Sequence, residues 1–186
     1  MEIVAFVAAG SFVSSMVLLG AYQRSQRTWL GRAESYAFLV LYVSLAVLVV
    51  GLHGDFVAAA PLLVWTSTVI GAVGAVTCIA AESAALFYGV PFTRVAMIVT
   101  AAFGGVLLWM GGLSVAGLVS GALPSGLGWL GVGMVVVSAL VIGVMARDRS
   151  LIRAERAPTP PEMAVGVVPF LGVAVWLVWL GVELAK

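Results

Sequence analysis

The chain has 186 residues, of which 63% are hydrophobic and 9% charged, with a net charge of +1 and a mean hydropathy of +1.19. A soluble domain carries about 25% charged residues, so the composition excludes a water-soluble surface and points to a chain dissolved in lipid. One cysteine, Cys78, and one histidine, His53, exclude an internal disulfide and a Cys/His metal cluster, and a charge of +1 makes no case for nucleic acid.

In chain order, about 20 mainly apolar residues make one helical crossing. Such runs lie at 3–22, 36–53, 61–84, 95–118, 128–147 and 163–184. They are too long and continuous for barrel strands. The expected class is all-α: a polytopic integral membrane protein forming a single domain of six transmembrane helices. The first run lacks the basic start of a signal peptide, Glu2 being its only early charge, and reads as a retained helix.

Between the first two runs lie Arg24, Arg27 and Arg32. Arg94 lies between the third and fourth, and Arg147, Arg149, Arg153 and Arg156 between the fifth and sixth. Every arginine thus falls in alternate loops, and the other side has only Lys186. Basic loops face the cytoplasm, which places both termini outside, in a multi-pass protein of the cell membrane. Trp29 suits an interfacial aromatic. Gly89-Val90-Pro91 and Leu123-Pro124-Ser125-Gly126 break the chain between runs. After Ala157-Pro158-Thr159-Pro160, Pro161 and Glu162 suit the first turn of the last helix. The mixed-charge segment from Arg147 to Arg156 reads as a solvated extension of the fifth helix, able to meet an anionic lipid or a partner.

Several residues are candidates for function. On the first helix Ser11, Ser14 and Ser15 share one face, either for hydrogen bonds between helices or to the backbone or as the lining of a polar path. His53 and Asp55 follow the second run, and Thr66, Ser67 and Thr68 open the third. Together these five could form an outer vestibule, with His53 and Asp55 exchanging a proton. Glu183, near Trp176 and Trp179, reads as interfacial. Gly71, Gly74, Ala75, Gly104, Gly105, Gly111, Gly112, Gly131 and Gly133 read as close-packing positions, with a kink at Gly111-Gly112 as the sharper alternative.

Glu82 is the one charged residue between Phe56 and Phe92. Counted from a first-turn Pro61, twenty residues end near Ala81 and leave Glu82 at the interface. Counted back from Gly89, it lies about 10 Å deep, where a carboxylate costs on the order of 2.5–3.5 kcal/mol at the bilayer centre. Such a residue would be functional, facing Thr77, Cys78 or Arg94.

No HExxH, CxxC, paired intramembrane aspartates, Walker or Rossmann pattern occurs, so no catalytic residue, cofactor or metal is expected. Two functions fit. One is a small transporter or channel-like protein for an ion or small solute, with Glu82, His53 and Asp55 as coupling groups and Ser11, Ser14, Ser15, Thr66, Ser67, Thr68 and Thr77 as polar lining. The other is a non-catalytic subunit of a larger respiratory or energy-coupling complex. The nearly uncharged outer loops suit a homo-oligomer or contact with other membrane subunits beside the lipid bilayer.

Overall fold

The computed structural model describes residues 1–25, 27–90, 92–147 and 160–186. The chain break expected at Pro91 and the charged extension expected after Arg147, up to Thr159, lie outside the described residues. The described chain is all-helical, in seven helices: α1 Glu2–Ser25, α2 Thr28–Gly51, α3 His53–Phe56, α4 Pro61–Tyr88, α5 Phe92–Ser120, α6 Ser125–Arg147 and α7 Pro160–Leu184. Four of them are long and apolar enough to cross a membrane: Glu2–Tyr22, Thr28–Gly51, Pro61–Tyr88 and Ile98–Ser120.

Every long helix extends past its apolar run, because hydropathy marks the part that suits hydrocarbon and not where hydrogen bonding stops. The largest difference is in α2, which begins at Thr28 where the apolar run begins at 36. Leu30, Arg32, Ala33 and Glu34 are good helix formers, so the polar segment stays helical. At α4 both proposed anchors hold at once. Pro61 occupies the first turn, where its missing N–H leaves no carbonyl unserved. At the other end Gly89 takes φ 66°, and Val90 N–H bonds back to the Ala84 carbonyl at 3.3 Å, closing the helix with a left-handed glycine. The resulting 28 residues span about 42 Å, against about 30 Å of hydrocarbon.

The long helices form a closed ring in chain order. α1 packs on α2, α2 on α4, α4 on α5, α5 on α6, α6 on α7, and α7 returns to α1. Short α3 lies across one end, touching α2, α4 and α5. Aromatic rings fill the middle. Phe12 of α1 stacks on Phe103 of α5 at 6.4 Å, and Tyr42 of α2 meets Phe103 edge-on at 6.2 Å. Further along, Trp109 of α5 meets Trp176 of α7 edge-on, also at 6.2 Å. Such pairs add about 0.5–1.5 kcal/mol beyond burial. Trp176 also donates its indole N–H to the Ser114 hydroxyl at 3.2 Å.

The α4–α5 seam is the tightest packing in the ring. A Cβ on Gly74 would meet the Ala102 carbonyl oxygen, one on Gly105 would lie 3.0 Å from the Ile70 oxygen, and one on Gly71 2.5 Å from the Trp109 Cβ. Gly112 lies against Ser67, Gly111 against Val135, and Gly131 against Ser114. Gly104 and Gly133 have open space instead. α5 runs unbroken through Gly111-Gly112.

Ser138 on α6 is buried, and its hydroxyl has no hydrogen-bond partner among the described residues. A buried hydroxyl without a partner costs about 1–3 kcal/mol. Ser138→Ala is therefore expected to stabilise the fold by roughly 1 kcal/mol, read as a higher unfolding midpoint in detergent. A lower midpoint would show that the hydroxyl is satisfied.

Candidate functional site

Because α2 begins at Thr28, Glu34 lies inside a helix. It is about 9 Å in from the first residue of α2, as Glu82 is from the last residue of α4, at 1.5 Å per residue. The start of α2 and the end of α4 fall at the same end of the ring, and these two helices are neighbours. The geometry therefore brings Glu34 and Glu82 to one level. Both turn inward: Glu34 is 3% exposed and Glu82 5%. Ser35, beside Glu34 on α2, is buried as well. Tyr42, about two turns along α2 from Glu34, and Cys78, about one turn along α4 from Glu82, are buried too. The Cys78 thiol points to the Val99 carbonyl at 3.8 Å. Of the groups expected to face Glu82, Cys78 is buried one helical turn away on the same helix. Thr77 is half-buried on the next position, and the Arg94 side chain lies outside the described residues.

An ionised carboxylate only accepts hydrogen bonds, and two of them in a poorly polarisable interior repel strongly. A proton held on one carboxyl group would remove that repulsion, so two buried carboxyl groups at one level are suited to holding a proton. Among the described residues no three of His, Cys, Asp and Glu come together as a metal ion would need.

Glu34 is not among the candidates that hydropathy singles out. Its signal is periodicity: positions 34, 38, 41, 45 and 48 follow one helix face, and Glu34, Leu41, Leu45 and Leu48 are buried. Continuing that face backward past the apolar run places Glu34 inside.

The remaining candidates sit apart from this pair. His53 opens α3, with its Nδ1 3.1 Å from the Thr68 hydroxyl and its ring edge-on to Trp65 at 4.3 Å. Asp55 is exposed. Thr66 is exposed beside a shallow hollow lined by Ala60, Pro61, Leu62 and Leu63. Ser67 is buried and donates to the Val64 carbonyl at 3.2 Å. This group lies at the opposite end of the ring, Thr68 being about 21 Å from Glu82 along α4. On α1, Ser15 is buried and donates to the Phe12 carbonyl at 2.8 Å, Ser11 is half-buried and Ser14 exposed. Glu183 accepts from the Trp179 indole N–H at 3.2 Å and from Lys186 at 2.8 Å.

Compared with known protein families, curated proteins and solved structures, the chain matches none. Its class follows from its own geometry: among the described residues, an all-helical ring with four helices fit to cross a membrane and a buried carboxyl group on each of two neighbouring helices.

Proposed function

We propose that the chain is a small proton-coupled membrane transporter for an ion or small solute, with Glu34 and Glu82 as its coupling pair. In this reading α6 and α7, of 23 and 25 residues, complete six spans. Arg24, Arg27 and Arg32 at the α1–α2 turn hold that end in the cytoplasm. Both termini are then extracytoplasmic and the carboxyl pair opens toward the cytoplasmic side.

The observation that carries the proposal is the burial of two carboxyl groups at one level of neighbouring helices within the ring. Ionisable groups buried away from water are expensive to keep, and inside membrane proteins they mark ion paths and proton relays. The sequence between Val95 and Arg147 holds no carboxylate, so α5 and α6 repeat nothing like this site. That asymmetry suits one coupling site in the first half, with the moving path along the α2–α4 face.

A second reading has its own support. The aromatic plug of Phe12, Tyr42, Phe103, Trp109 and Trp176 leaves the middle of the ring filled, as suits a non-catalytic subunit of a larger membrane complex. Reconstitution separates the two. Purified protein in vesicles holding a pH-sensitive dye is expected to move protons when gradients of inorganic cations or small organic cations are imposed. No proton movement under any gradient, with co-purification at fixed stoichiometry with other membrane subunits, would establish the subunit reading instead.

A further inference from the structure

The outward face of α2 carries a graded stripe that no part of the coupling site uses. Trp29, Arg32, Tyr36, Val40, Val43 and Val47 follow one another at three- and four-residue steps, which is one face of a helix, and all six are exposed. The stripe begins with an arginine between two aromatic rings and continues as valines alone. From Arg32 to Val47 it runs about 22 Å, close to half of a bilayer about 40–45 Å thick with its headgroups.

Charge adds to this pattern. Arg24, Arg27 and Arg32 are all exposed at the α1–α2 turn. The nearest carboxylate in sequence, Glu34, points the other way, into the ring. Tyr22 of α1 packs on the start of α2, its ring 3.2 Å from where a Cβ on Gly31 would be.

We propose that this stripe binds one anionic phospholipid, its phosphate between Arg27 and Arg32 and an acyl chain along Val40, Val43 and Val47. Trp29 and Tyr36 border the headgroup at the level where aromatic side chains settle in membranes. Arginine recognises phosphate through two parallel N–H donors, which a zwitterionic headgroup offsets with its own cation. The site rests on the membrane placement of α2 and is independent of transport by the carboxyl pair.

The test uses the full chain in lipid nanodiscs of phosphatidylcholine doped with phosphatidylglycerol, with retained lipids counted by native mass spectrometry. One phosphatidylglycerol per chain is expected, enriched about tenfold over its share of the disc. R27Q/R32Q is expected to bring the enrichment close to none, Trp29→Ala to weaken it, and Arg32→Lys to keep part of it, since lysine holds charge without the paired donors. These side chains are exposed, so the melting midpoint should not move. Equal retention of both lipids, or enrichment unchanged in R27Q/R32Q, overturns the site. Displacement by millimolar inorganic phosphate does so too, because it would make this a free-anion site. A chain that fails to enter the discs overturns the membrane placement and this site with it, whereas one that enters and binds both lipids alike overturns the site alone.

Discussion

Gly74→Ala is expected to lower the unfolding midpoint of the detergent-solubilised protein by about 5–10 °C, for the addition of one methyl group. The new Cβ would meet the Ala102 carbonyl oxygen, with the Val106 nitrogen at 3.3 Å. Both are backbone atoms of α5, so no rotamer change can make room and the two helices must separate. Overpacking of this kind costs about 1–3 kcal/mol, occasionally more. Where helices meet in lipid the loss is felt fully, because the attraction is dispersion between surfaces that must touch. Gly104→Ala is the control. It adds the same methyl on α5 beside the seam, where nothing lies within 4 Å, and should stabilise by about 0.5–1 kcal/mol through helix propensity. Equal midpoints for the two variants would mean that the α4–α5 seam is looser than its glycines indicate.

The helical class and both ends of α4 are legible in the amino-acid sequence alone, the class because long apolar runs have few physical solutions. Pro61 and Gly89 each mark an end of α4, and each does so for a local backbone reason. The neighbours of each helix are not legible in this way. The return of α7 to α1 depends on contacts such as Phe6 against Gly181, and nothing local to either segment specifies it. Glycines are readable as a type, but not which of them touch: Gly104 and Gly105 are adjacent, and one faces open space while the other faces Ile70.

The site is half legible. Glu82 stands out as one acid in a long apolar segment, while Glu34 is hidden by the arginines around it, which hydropathy treats as loop. Pairing the two requires knowing that α2 and α4 are neighbours. The opposite difficulty affects the serines of α1. Ser11, Ser14 and Ser15 fit one face by spacing, yet the buried arc of Ala5, Ala8, Ala9, Phe12 and Ser15 leaves Ser14 on the far side of its edge. Likewise His53 meets Thr68 rather than a neighbour in sequence, because α3 folds across the start of α4.

Replacing the paired carboxyl groups with amides should separate function from stability. Glu34→Gln and Glu82→Gln are each expected to reduce gradient-driven proton movement in vesicles by roughly tenfold or more, and the double variant by no more than the worse single. Residues of one network couple by about 0.5–3 kcal/mol, and once one carboxyl group is gone the other has no partner to exchange a proton with. Neither single change should lower the melting midpoint. Gln fills the same volume, and removing charge from a buried pair is often neutral or stabilising. A substrate-independent readout is labelling by dicyclohexylcarbodiimide, which reacts with protonated carboxyl groups in apolar surroundings. A shared proton predicts about one label per chain on this pair, lost in the double variant. Losses that multiply in the double variant would mean two independent groups, and a midpoint that falls steeply in either single would make the pair structural rather than a proton carrier.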